Sequence, residues 1–257
     1  MNNRIIVKGE GIPIVLIHGM GGPNIWLPII EELKNKFQVI VPIFPGFLKE
    51  DVNFRYSDNL YVDFLINVRE FLNINKWNVV GVSMGGRTSI NYALKEANQI
   101  SSLTLIDSIG VGYMSPILKL PFMKKVFPFL IQSMLRSESN RIKLAKQDFV
   151  DDNGVICKKC ISWFNELTAE KIVRQNFAKI LSNVGIPQKQ WKKQLRKFNI
   201  PTQILWASDD QTAPLHWGIS LNSMIPNSEL KVLNGFKHMA ILEQSDFFIN
   251  QMVDFIN

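Results

Sequence analysis

The 257-residue chain is 46% hydrophobic and 20% charged, the balance of a globular protein able to bury one large core, with or without an inserted subdomain. Its net charge of +7 is unevenly placed: residues 111–200 hold 17 Lys or Arg against 6 Asp or Glu, and no nucleic-acid-binding motif accompanies them. A solvated basic face is therefore expected, not a nucleic-acid partner.

Met1-Asn2-Asn3-Arg4 leads directly into strand-like alternation, and no uncharged apolar stretch reaches the roughly 20 residues of a membrane span. No leader, no stable membrane insertion and a cytoplasmic location are expected. Arg4 to Lys8 and Ile12 to Ile17 read as two strands around a Glu10-Gly11 turn, as in a hairpin. The second is almost wholly apolar, as a strand covered on both faces is. It runs into His18-Gly19-Met20-Gly21-Gly22, where glycines let a ligand approach backbone N–H groups.

Trp26, Ile29, Ile30, Leu33 and Phe37 follow helical spacing, and Gln38 to Val41 begins the next strand. Pro45-Gly46-Phe47 is a turn. Leu60, Phe64, Val68 and Phe71 mark a further helix, and Trp77-Asn78-Val79-Val80 a further strand. That strand ends in Gly81-Val82-Ser83-Met84-Gly85-Gly86, followed by the amphipathic run of Ile90, Ala93, Leu94 and Ala97. Random placement of 15 Gly and 17 Ser gives only about 0.06 Gly-x-Ser-x-Gly matches per chain, and the strand-turn-helix setting strengthens the reading further. Ser102 to Ile106 is the next strand. The alternation predicts an α/β fold with a mostly parallel central sheet and helices on both faces.

From 111 to 199 strand signals stop. This segment is expected to form a helical cap inserted into a core made of residues 1–110 and 200–257. Tyr113 to Leu135 is rich in Ile, Leu, Phe and Met. Pocket lining or cap core is expected there in preference to membrane contact, because Pro116, Pro121 and Pro128 interrupt a long amphipathic helix. Cys157 and Cys160 lack the further ligands that a zinc site requires, so no metal is expected. They read as an inert helical pair, with redox chemistry as the alternative if Lys158 and Lys159 lower a thiol pKa. Thr202 to Ala207 and Glu229 to Leu233 are the last strands, each followed by a polar loop. Phe248, Met252 and Phe255 mark a terminal helix.

A serine hydroxyl needs a base to remove its proton and an acid to orient that base. His18 sits in the glycine-rich loop and His216 on a segment after Pro214, whereas His238 follows the final strand at the sheet edge that carries Ser83, which makes it the candidate base. Asp209 and Asp210, after the preceding strand, are the candidate acids. Asp107 is a further alternative.

With these residues the chain resembles the α/β-hydrolase superfamily, in its capped serine esterase and C–C hydrolase-like branch. His18-Gly19-Met20-Gly21-Gly22 is similar to the family's oxyanion loop, Gly81 to Gly86 to its nucleophile elbow, and Trp206 to Pro214 to its acid loop. His238 with Glu243 is similar to its histidine loop. The resemblance selects Asp210, four residues before Pro214, and implies an oxyanion hole made by the backbone N–H groups of Met20 and Met84. One departure is Pro42-Ile43-Phe44-Pro45-Gly46, which lacks the acid the family usually carries before its Pro-Gly turn.

The resemblance implies a carboxylesterase-like serine hydrolase of an ester, thioester or related carbonyl compound, needing no cofactor. The apolar, basic cap suits a hydrophobic acyl substrate, and one with a carboxylate. Alternatives are a C–C bond hydrolase, a lyase similar to a menaquinone-pathway synthase with Arg87 on a substrate carboxylate, and a non-catalytic ligand-binding protein on the same scaffold.

Overall fold

The computed structural model describes residues 2–120 and 122–256. The interruption expected at Pro121 lies outside the described residues, as does Met1. Seven strands form one sheet: β1 (Ile5–Lys8), β2 (Ile12–Ile17), β3 (Phe37–Pro42), β4 (Trp77–Val82), β5 (Ile100–Ile106), β6 (Thr202–Ala207) and β7 (Ser228–Leu233). Their order is β1-β3-β2-β4-β5-β6-β7, with β1 antiparallel to β3 and every other pair parallel.

Parallel strands require crossovers, and helices supply them. These are α1 (Leu27–Leu33), α2 (Asp58–Phe71), α3 (Met84–Lys95), then α4 (Met123–Arg136), α5 (Glu138–Lys146), α6 (Val155–Leu167), α7 (Lys171–Val184) and α8 (Trp191–Gln194), and finally α9 (Leu215–Met224), α10 (Ala240–Glu243) and α11 (Ser245–Ile256).

Strands buried on both faces have nearly continuous apolar sequence, and all six residues of β4 are buried. Alternate residues serve opposite cores. Val15, Ile17 and Val79 join the cluster that includes Tyr61, Leu65 and Val68 of α2, whereas Ile14, Leu16 and Val80 join Ile29 and Leu33 of α1 with Phe248 and Met252 of α11. Helix α2 starts where the Ser57 hydroxyl accepts the Leu60 N–H at 3.0 Å, and Asp58 opens its first turn.

The expected hairpin does not form, because β3 lies between β1 and β2. Gly9 (φ 74°) carries the chain across the α1–β3 turn, where a Cβ would collide with the Lys34 and Phe37 carbonyls. Phe37, which fits the helical spacing of α1, instead begins β3. It reaches the same core as Leu33 from a different element, which periodicity cannot distinguish.

No strand occurs among the described residues between Ile106 and Thr202. The helices there pack among themselves through Leu135, Phe164 and Phe177. They also join the two sheet cores, through Ile180 and Val184 of α7 and through Cys157, Cys160 and Trp163 of α6. Pro128 does not end a helix; it sits inside α4. The apolar stretch around it divides, with Leu118, Met123 and Leu135 buried but Phe122, Val126, Phe129 and Leu130 exposed. No helix of the described residues is long and apolar enough to cross a membrane.

Candidate active site

Parallel strands end at one edge of the sheet, and the loops after β2, β4, β6 and β7 converge there. Ser83 follows β4 with φ 55° and ψ −117°, a conformation that L residues avoid. Backbone hydrogen bonds fix it: its N–H donates to the Ile106 carbonyl at 2.9 Å, and its own carbonyl accepts the N–H groups of Gly86, Ile109 and Arg87 at 3.0, 3.2 and 3.3 Å. The turn is possible only without side chains beside it. A Cβ on Gly81 would collide with the Ser89 hydroxyl, and one on Gly85 with the Ile17 carbonyl oxygen.

His238 Nε2 lies 2.9 Å from Ser83 Oγ, and His238 Nδ1 lies 2.6 Å from Asp210 Oδ2. The other Asp210 oxygen accepts the Thr212 and Ala213 N–H groups at 2.7 and 2.8 Å, which locks the carboxylate's orientation. All three side chains are buried. Burial alone disfavours the His238 imidazolium, but the Asp210 charge, assisted by Asp148 and Asp107, outweighs it and holds the pKa above the usual 6.5. Asp107 is adjacent in the fold but serves otherwise. It accepts the Ala207 N–H at 2.8 Å, and burial followed by the Asp210 charge pushes it well above the carboxylate range. Asp209 is turned to the Ser208 hydroxyl.

Met84 opens α3, where the first N–H groups have no intrahelical acceptors and the helix dipole favours negative charge. The Met20 loop lies opposite, close enough that a Cβ on Gly19 would stand 3.1 Å from that of Ser83. Between them begins a cavity of about 400 Å³ that reaches under the helices between β5 and β6, bordered by Ser83, His238, Met114, Phe127, Phe164 and Phe177 among others. Its described lining contains Asp148 and no Lys or Arg.

Residues 12–141 match the family described as the alpha/beta hydrolase fold. The chain belongs to that family. Across 96% of this α/β-hydrolase and 89% of its relative, it is 28% identical to 2-hydroxy-6-oxononadienedioate/2-hydroxy-6-oxononatrienedioate hydrolase 1 of Pseudomonas putida. It is 26% identical to the pimeloyl-[acyl-carrier protein] methyl ester esterase of Legionella pneumophila (strain Paris), over the whole of both chains. In fold it is similar to a meta-cleavage product hydrolase from Pseudomonas fluorescens IP01, with TM-score 0.82, 22% identity, and 98% and 93% of the two chains covered.

Two residues of this α/β-hydrolase fasten its Pro-Gly turn. His18 is buried, and its Nε2 accepts the Phe44 N–H at 3.3 Å while Nδ1 lies 2.8 Å from the Gly19 carbonyl. These partners require a neutral ring protonated on Nδ1, and burial accordingly lowers its pKa to about 4. Asp51 accepts the Gly46 and Leu48 N–H groups at 2.8 and 3.0 Å and pairs with Arg4. Both hold the loop over residues 44–48.

Arg87 does not reach the cavity. Its guanidinium forms a fork on Asp58 at 2.8 and 2.9 Å and donates to the carbonyls of Val184 and Ile186. Its position one turn into α3 aims it at α2 and the end of α7. His216 is exposed on α9. The thiols of Cys157 and Cys160 are buried, and burial raises both pKa values, that of Cys160 to about 12. The activating influence expected of Lys158 and Lys159 does not prevail.

Asp148 is a residue no motif signals. It follows α5, borders the cavity, and accepts the Thr212 hydroxyl at 2.9 Å. Its backbone carbonyl accepts the Met239 N–H at 2.9 Å, and Glu243 accepts the N–H groups of Val150 and Asp151. The helical segment is thereby fastened to the loops carrying Asp210 and His238. Burial raises the Asp148 carboxyl above its usual range, with the His238 charge opposing.

Proposed function

We propose that this chain is a serine hydrolase of esters or thioesters with an apolar acyl group, acting through Ser83, His238 and Asp210. The observation that carries it is the unbroken series of hydrogen-bonding distances from Ser83 Oγ through the His238 ring to Asp210, at the mouth of an apolar cavity. His238 Nε2 takes the Ser83 proton as Oγ attacks the acyl carbon, and Asp210 holds the ring with its proton on Nδ1. The N–H groups of Met20 and Met84 receive the tetrahedral oxyanion, an interaction worth about 10² to 10³ in rate per donor. His238 returns the proton to the departing alcohol or thiol, and water then resolves the acyl-enzyme by the same route. The helices over residues 111–199 act as a cap that shapes the acyl site.

A C–C bond hydrolase is the second reading, favoured by the relatives named for dienedioate substrates. The described cavity lining argues for the ester. It presents Asp148 and no Lys or Arg, and its one basic side chain, His238, is committed to Ser83 and Asp210, so a substrate carboxylate buried there would lack a free charge partner. The lyase reading loses its support with Arg87 committed to Asp58. Fluorophosphonate labelling of Ser83, followed by turnover of p-nitrophenyl esters of graded acyl length, tests the proposal. Burst release and a fall of about 10⁴ to 10⁶ in kcat for Ser83→Ala are expected. Ester turnover unchanged in Ser83→Ala refutes it, and faster turnover of a ring-opened dienoate than of any ester moves the assignment to C–C cleavage.

A further inference from the structure

A globular surface normally exposes its large apolar side chains singly. Here six lie within fourteen residues: Ile117, Leu120, Phe122, Val126, Phe129 and Leu130. Phe122 is 61% exposed and Phe129 71%. Phe122, Val126, Phe129 and Leu130 are spaced four, three and one apart, which places them along one face at the start of α4. Phe127, between them in sequence, turns the other way and borders the cavity. The helix therefore has two apolar sides, one facing the cavity and one exposed.

The charge around this face is of one sign. From Ser108 to Ser137 the sequence contains no Asp or Glu, and carries Lys119, Lys124, Lys125 and Arg136. Lys119, Lys125 and Arg136 are exposed. A second copy of the chain would bring the same cations against one another, on a molecule already at +7. An apolar face flanked by Lys and Arg matches an anionic lipid surface, where rings enter the acyl boundary and ammonium groups remain among the headgroups.

We propose that the exposed side of α4, with the turn before it, docks this protein on anionic lipid. The contact is peripheral. It puts the lipid on one side of α4 and the cavity wall on the other.

The test is co-sedimentation of the full chain with vesicles of phosphatidylglycerol mixed into phosphatidylcholine, compared with pure phosphatidylcholine. Binding to the mixed vesicles is expected, falling at high salt. The double variant Phe122→Glu/Phe129→Glu is expected to bind at least about tenfold more weakly. Both positions already face solvent, so folding and hydrolysis of a soluble short-chain ester serve as controls and should not change. Wild type that binds no better than the double variant overturns the proposal, as does equal binding to neutral vesicles. A dimer that the double variant dissolves, without vesicle binding, assigns the face to a second copy and also overturns it. The readout uses no turnover, so it stands apart from the ester assignment.

Discussion

The Thr212 hydroxyl donates to the Asp148 carboxylate at 2.9 Å, joining the loop of Asp210 to the helical segment that roofs the cavity. Asp148 thus adds negative potential to the surroundings of His238, and raises its pKa together with Asp210 and Asp107. A base that is harder to deprotonate becomes available only at higher pH. The acid limb of kcat/KM is therefore expected above pH 6.5. Asp148→Asn keeps an acceptor for Thr212 but removes the charge, so the limb should move to lower pH. A pH–rate profile on a neutral ester checks this, and a limb that stays in place denies Asp148 any electrostatic part.

Arg87→Ala leaves Asp58 partly buried opposite a lost cation. A destabilisation of about 3 kcal/mol is expected, read by urea unfolding at neutral pH. Burial tends to raise the Asp58 pKa, but Arg87 outweighs it and the folded value lies below 3.8. The pair's contribution is therefore complete above pH 3.8 and disappears as pH falls through the folded value. Wild type and variant should converge in acid. Ester turnover by the folded fraction should be retained, whereas its loss would place Arg87 at the substrate.

Ser83 occupies φ 55° without being glycine, a conformation that costs about 1 to 3 kcal/mol. Ser83→Gly relieves the strain and Ser83→Ala does not. Thermal unfolding should show the glycine variant more stable than the alanine variant by about 1 kcal/mol, after the greater freedom of glycine in the unfolded chain is set against it. Both should be inactive.

Burial raises the thiol pKa of Cys157 and, to about 12, that of Cys160. Neither should react with iodoacetamide at neutral pH in the native protein, and both should react once it is unfolded. Rapid native labelling at either position would restore the redox reading.

The parallel core was legible because its signal is local. Ile14 to Ile17 and Val79 to Val82 are unbroken apolar runs, and the loops that follow them hold the glycines a sharp turn requires. Ser83, Asp210 and His238 each follow a strand of one parallel sheet, so strand direction alone carries them to a common edge. What escaped the sequence depends on partners distant along the chain. The place of β1 beyond β3 depends on how β3 pairs. The engagement of Arg87 depends on Asp58, twenty-nine residues earlier, and the position of Asp148 on Thr212, sixty-four later. Pro128 shows the converse: a local rule predicts a break, and α4 runs through it, packed against α7.

β5 and β6 are hydrogen-bonded neighbours, Leu103 beside Thr202 and Ile106 beside Leu205, although the helices α4 to α8 intervene in the chain. The excursion leaves after Ile106 at the edge that carries Ser83 and rejoins the neighbouring strand at Thr202, three rungs back, and the β5–β6 pairing rather than its length sets the register. Evolution or an engineer can lengthen, shorten or exchange these helices without moving Ser83 relative to His238. The restrictions are that the replacement must again meet Thr212, Glu243 and Arg87 and fill the sheet cores where Ile180, Val184 and Trp163 stand.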